Sequence, residues 1–421
     1  MARILAGSFI ILSSVLYVML MFGEKEEKSE SLVQQNDYPI VFVHGLAGWG
    51  RDEVFGLKYW GGLNDFEAHL NAKGYTAFTA AVGPISSNYD RAVELYYYIK
   101  GGTVDYGAYH AEKYGHSRYG RTFKGIYPEW DGQHPIHLIG HSMGGLTNRA
   151  LVDLLIDGNA EEQAYAAANP GMGLSSLYDG NRHWVHSVTT IGTPHNGSTF
   201  AESDNVLSLF IKELVLEIAA LSGGDFSAFD YDFKLDHWGI KRGRNEDFED
   251  YLQRVMNNGI WSSEDMSIHD LDTNGAAYNN EWLDTHEDVY YFSHTGQTTF
   301  QNRLTGHHMP NLLTNPIMVQ PALFIGSYSR IQSGPFIDES WWPNDGLVST
   351  ISSLYPFHHP AALYKPGNEI KKGIWNYYPI RKEWDHLDQM GLTVASYVLP
   401  NEDMNDFYEE VARHLLALPA R

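Results

Sequence analysis

The 421-residue chain carries 52 acidic against 29 basic side chains, a formal net charge of −23, and no cysteine. Repulsion on that scale excludes nucleic acid or an anionic membrane surface as the main partner, and the missing thiols exclude disulfides, a thiolate nucleophile and any cysteine-held zinc. A metal would have only His, Asp and Glu to bind it, while the apolar and aromatic content is ample for a large core.

From the N-terminus, Arg3 precedes an apolar run from Ile4 to Phe22, followed by a charged, polar stretch from Glu24 to Asp37. The run is long for a signal-peptide core, near the minimum for a membrane span, and has no clear small-x-small cleavage site after it. A secretory signal is the preferred expectation, making the protein extracellular, with an uncleaved anchor over residues 4–22 as the alternative. Residues 1–37 are thus leader and polar linker, and the folded part begins near Tyr38. Short runs rich in β-branched and aromatic residues then recur at Pro39 to Val43, Tyr75 to Val82, Ile136 to Ile139, Trp184 to Ile191 and Val289 to Ser293. Helical patterns lie among them, which predicts an α/β fold with a largely parallel sheet flanked by helices and loops of function at the strand C-termini. No Pro/Ser linker divides residues 38–421, so one domain with excursions at about 90–130 and 200–282 is expected. Within the second, apolar residues from Val206 to Leu221 recur at helical spacing. That helix reads equally as a surface helix or as a mobile lid.

The stretch Gly140-His141-Ser142-Met143-Gly144 matches G-x-S-x-G, with a buried-strand pattern before it and a helix from Leu146 to Ile156 after it. That strand, turn and helix context predicts a serine nucleophile. Such a serine needs a base, and an acid to orient the base, in the chain order Ser, Asp or Glu, His. Asp345, in Asn344-Asp345-Gly346 after a strand candidate, and His386, in Asp385-His386-Leu387 before the last helix, have that order; on spacing alone His358 and His359 remain comparable to His386. His44-Gly45-Leu46 follows the first strand, so the N–H groups of Leu46 and Met143 are expected to form an oxyanion hole. Asp90, His110, His116 and Asp265 supply donors for a four-ligand N/O metal site, although scattered His and Asp are common in any chain.

Taken together, several motifs resemble the zinc-containing lipases of Bacillus and Geobacillus and their relatives the staphylococcal lipases. They include Tyr38-Pro39-Ile40-Val41-Phe42-Val43-His44-Gly45, Phe55-Gly56-Leu57-Lys58-Tyr59-Trp60-Gly61-Gly62 and Val82-Gly83-Pro84-Ile85-Ser86-Ser87-Asn88-Tyr89-Asp90. Others are Gly101-Gly102-Thr103-Val104-Asp105-Tyr106-Gly107, Thr193-Pro194-His195, Tyr231-Asp232-Phe233-Lys234-Leu235-Asp236 and Asn344-Asp345-Gly346. The resemblance implies an α/β-hydrolase fold with a zinc-bound extra lobe and a helical lid beginning near Asp204. It implies Ser142 as nucleophile, Asp345 as acid and His386 as base, and structural zinc on Asp90, His110, His116 and Asp265. It also implies calcium near His386, for which Asp388 and the carbonyl of Asn302 match, whereas Thr393 stands where an acidic ligand belongs; fewer carboxylates weaken such a site. The expected activity is triacylglycerol hydrolysis at a lipid–water interface, with no obligate protein partner. The alternatives are an esterase for short soluble esters and a non-catalytic surface binding module.

Overall fold

In the computed structural model, residues 33–54, 56–202, 204–221, 231–392 and 402–421 are described. The leader run over residues 4–22 and Thr393 lie outside them.

Strand β1 (Ile40–Val43) is buried on both faces: Ile40 and Phe42 enter one apolar cluster, Val41 and Val43 the other. A period-two strand with both faces apolar needs helices above and below, and parallel neighbours meet that need. The remaining strands of the sheet are β2 (Ala77–Ala80), β3 (Ile136–His141), β4 (Val185–Ile191), β5 (Tyr290–His294), β6 (Ala361–Leu363) and β7 (Trp375–Tyr377). All seven are parallel, in the spatial order β6-β7-β5-β4-β3-β1-β2. β1 pairs with β2 on one side and β3 on the other, Ile40 facing both Ala77 and His137. The chain therefore reverses its direction of winding between β1 and β3, and the crevice beyond their C-terminal ends is where such sheets bind ligands.

Helix α1 (Asn88–Lys100) makes the crossover from β2 towards β3 and packs on α2 (Met143–Ile156), burying Val93, Leu95 and Ile99 against Ala150, Leu151 and Leu154. Ser87 caps α1 by accepting the Asp90 N–H, and Gly101 at φ 94° ends it. The excursion after Lys100 holds an antiparallel pair, Gly102–Asp105 with Tyr119–Phe123, and a short helix, Ala108–Tyr114. On the opposite face lie α3 (Asp204–Leu221) and the C-terminal α4 (Glu402–Leu416), which contributes Phe407, Tyr408 and Val411 to the core. The segment before Asn344 is not a strand, as expected from sequence, but a 3-10 turn, Glu339–Trp341, because the Asp338 side chain accepts the Ser340 N–H and starts a turn there. The two outer strands β6 and β7 are three residues each and carry no alternating pattern long enough to read from sequence.

Candidate active site

Ser142 is the single residue between β3 and α2 and holds φ 55°, ψ −130°, a conformation costly for a side chain with a Cβ. Strain of this kind persists only where packing on all sides enforces it, and here the crowding is severe. A Cβ at Gly144 would come 2.1 Å from the Val43 carbonyl oxygen, and one at Gly45 would come 2.7 Å from the Ser142 Cβ. Only glycine lets the turn after β1 close against the turn after β3. The Ser142 N–H donates to Ile191 O at 2.8 Å, tying the turn to the end of β4 as well.

His386 Nδ1 donates to Asp345 Oδ2 at 2.8 Å, which leaves Nε2 as the acceptor of a neutral ring. The carboxylate itself is held from every side: Gln389 Nε2 donates to Oδ2 at 2.8 Å, and the N–H groups of Leu347 and Val348 donate to Oδ1 at 3.0 and 2.8 Å. The His386 N–H donates to the Asp345 carbonyl at 2.7 Å, fixing one loop on the other. His359, by contrast, pairs with Thr285 Oγ1 at 2.7 Å and lines a separate recess with His358 and Trp341. Of the histidines that spacing left open, His386 is the one at Asp345.

The N–H of Gly45 is taken by Tyr59 Oη at 2.8 Å and that of Ala47 by the Pro84 carbonyl at 2.8 Å, whereas the N–H groups of Leu46 and Met143 have no partner among the described residues. Two free donors on turns in contact with Ser142 are what an oxyanion hole requires. Sequence reading missed the bonds that brace them. The Tyr59 hydroxyl donates to His141 Nδ1 at 2.7 Å, and His141 Nε2 donates to the His386 carbonyl at 3.0 Å. Burial and the nearby His386 hold the His141 pKa well below the usual histidine range, so the neutral tautomer that this chain needs is the one present. Tyr59 sits inside a motif already read as distinctive; nothing in its spacing relative to His141 announces the pair.

Ser142 and His386 open onto one apolar cavity of about 70 Å³. Leu207, Phe210, Leu214 and Ile218 of α3 form one wall, at the spacing of a single helix face, and Leu46, Phe200, Met318 and Val348 contribute others. The recess is smaller than the dry cavity of about 150 Å³ that admits benzene.

Outside the cavity at Ser142, Asp90 on α1, His110 and His116 of the first excursion and Asp265 of the second converge. One ligand atom from each falls within 4.8 Å of all the others. His110 Nε2 is 3.2 Å from both Asp90 Oδ1 and Asp265 Oδ2, and His116 Nε2 is 3.3 Å from the latter. These four atoms are buried without hydrogen-bond partners, a donor set that fits a cation. Their remaining atoms are oriented from outside: His237 Nε2 donates to Asp90 Oδ2 at 3.0 Å, Ser87 Oγ donates to Asp265 Oδ1 at 2.5 Å, and His116 Nδ1 donates to the Ser117 carbonyl at 3.0 Å. His237 was not anticipated, although it directly follows the Tyr231–Asp236 motif. The calcium candidates look different. The Asn302 carbonyl accepts the Gly306 N–H at 2.8 Å, and Asp388 Oδ2 accepts the Asp385 N–H at 2.9 Å. Burial, then the charge of Asp385, pushes the Asp388 carboxyl up to about 8.

A parallel sheet whose switch point presents a serine on a strained strand-to-helix turn, with an aspartate-bound histidine lining the same cavity, defines an α/β-hydrolase architecture. The chain belongs to the family described as lipase-like, C-terminal domain, which matches residues 36–420. It is 38% identical over 400 residues to Lipase 1 of Staphylococcus aureus, covering 93% of this chain and 57% of that protein, so it spans little more than half the length of that relative. Among solved structures it is similar to EstA from Clostridium botulinum, at 42% identity with a TM-score of 0.84 over 94% of this chain and 91% of the other. It is also similar to lipase 1 from Pelosinus fermentans, at 44% identity and TM-score 0.82 over 91% and 100%. The resemblance to staphylococcal lipases drawn from the motifs is borne out by the first of these.

Proposed function

We propose that the protein is an exported carboxylic-ester hydrolase acting on triacylglycerols at a lipid–water interface. The observation that carries this reading is the placement of Ser142, on its strained turn, in one apolar cavity with the Asp345-bound His386. Ser142 attacks the ester carbonyl while His386 Nε2 takes its proton. Asp345, held by Gln389, Leu347 and Val348, keeps Nδ1 protonated and stabilises the imidazolium. The oxyanion forms against the N–H groups of Leu46 and Met143. His386 then protonates the leaving alcohol, and water, deprotonated by the same histidine, releases the fatty acid.

Helix α3 is the lid. Its inward face is apolar, so exposing it costs less at an oil surface than in water, and opening there widens the cavity to admit an acyl chain. The metal is zinc, held by Asp90, His110, His116 and Asp265. Four protein ligands leave no open position, so when bound it cross-links the two excursions and takes no part in the ester chemistry. Calcium receives less support, since Thr393 stands where an acidic ligand belongs and fewer carboxylates weaken such a site.

The deciding experiment measures fatty-acid release from emulsified long-chain triacylglycerol beside hydrolysis of a soluble short-chain ester, for the intact protein and Ser142→Ala. Both activities, abolished by the substitution, are expected. Short-chain activity alone would instead make it an esterase, and activity retained by Ser142→Ala would remove Ser142 from the mechanism.

A further inference from the structure

We infer that Arg91 is the positioning residue of the oxyanion hole, an inference that rests on the reading of Ser142 as nucleophile. Arg91 is 0% exposed, and although the charge of Glu94 acts on it, its hydrogen-bond partners are neutral oxygens rather than a carboxylate. Nη2 donates to the His44 carbonyl, two residues before Leu46. Nη1 donates to the Gly83 carbonyl at 2.7 Å, and the adjoining Pro84 carbonyl receives the N–H of Ala47, one residue after Leu46. Nε donates to Thr147 Oγ1 at 2.8 Å, and that hydroxyl donates to the Met143 carbonyl at 3.1 Å.

One planar guanidinium thus grips the turn after β1 and the turn after β2 and, through the Thr147 hydroxyl, the first turn of α2. Its contacts bracket Leu46 on both sides and reach Met143, the two residues whose N–H groups are free. Burying a cation is costly, and a residue kept there must make contacts that a simpler one cannot. A lysine nitrogen is a single point and cannot span three acceptors in a plane, as the guanidinium fork does. Arg91 touches neither Ser142 nor the cavity, so it acts through the two donors it aligns.

The test separates alignment from folding by expressing kcat per titrated serine, with active sites counted by stoichiometric labelling with a p-nitrophenyl phosphonate and turnover read on p-nitrophenyl butyrate. Arg91→Lys is expected to lower kcat per site by about 10²-fold with KM unchanged within about twofold, since misplacing a transition-state donor by an ångström costs that much. Its affinity for a boronic acid, whose tetrahedral adduct places an oxygen in the hole, should fall in parallel. Unchanged kcat per site, even with fewer titratable sites, would overturn the inference and leave Arg91 a folding role. Should Arg91→Lys not fold, Thr147→Val decides alone: a roughly tenfold lower kcat at constant KM supports the assignment, and an unchanged one overturns it. Ser142→Ala, assayed alongside, keeps the two readings apart, because full activity there removes the nucleophile whatever Arg91 does.

Discussion

Asp345 receives hydrogen bonds from His386, Gln389, Leu347 and Val348, so its replacement by asparagine is a test of tautomer rather than of packing. The amide can keep its oxygen towards the two backbone donors, and its NH2 group then faces His386 Nδ1 and turns the ring to the wrong tautomer. Asp345→Asn should lower kcat by about 10⁴-fold, the loss known for the equivalent change in serine proteases, while circular dichroism stays native. A loss under tenfold would mean that Asp345 does not orient the base. Tyr59→Phe probes the brace beside it. Removing the hydroxyl leaves the buried Gly45 N–H and His141 Nδ1 without partners, a cost of about 2 kcal/mol in unfolding free energy. Urea titration measures it, and an unchanged midpoint would show that water replaces the hydroxyl there.

At the scale of elements, α3 and the two excursions carry the testable behaviour. If α3 is a lid, hydrolysis should rise steeply as a partly soluble ester passes its solubility limit, and Phe210→Ser should blunt that rise while sparing activity on soluble short esters. A smooth saturation curve through the limit would mean that α3 is a fixed surface helix. The excursions are linked by the convergent Asp90, His110, His116 and Asp265. Metal analysis should find about one zinc per chain, and stripping it with a chelator should lower the melting temperature, because binding energy at such a site is folding energy. Protein purified gently without zinc would reject the assignment. Calcium, short of a carboxylate where Thr393 stands, is expected to raise the melting temperature only slightly; a shift of many degrees at low calcium would restore that site.

Across the whole molecule, neutral buried histidines set the acid limit. Burial holds His44, His137, His141, His195 and His294 well below the histidine value of 6.5, and pushes His186 down to about 3. Each folded pKa lies below its unfolded value, so as pH falls through 6.5 the unfolded chain binds more protons and stability is lost, by up to about 1.4 kcal/mol per histidine and pH unit. Asp270, pushed up to about 6, and Asp388, pushed up to about 8, act in the opposite sense, since folding raises their affinity for protons. Folding also raises His110, His116 and His286, where neighbouring aspartates outweigh burial, but it lowers more rings than it raises, His308, His359 and His414 among them. Urea midpoints should therefore fall between pH 7.5 and 5.5, and equal midpoints would show that these rings are not buried neutral.

The strand-and-helix order, the serine turn and the run of motifs were legible because each is local: a period-two apolar run, glycines where a turn leaves no room for a Cβ, and contiguous residues with characteristic neighbours. From them the sequence by itself determined the fold class and the resemblance to lipases, and it named the residues that the structure brings together as two clusters. It could not choose among His358, His359 and His386 on spacing, because that choice depends on which loop folds back onto Asp345. Nor could it reveal the edge strands β6 and β7, Gln389 behind Asp345, the Tyr59–His141 brace, His237 behind Asp90 or the grip of Arg91 on three turns. Tertiary structure alone decided these, for a physical reason: hydrogen bonds between residues 82 or 147 positions apart leave no periodicity in the chain. They exist only once the sheet has brought the ends of its strands to one crevice.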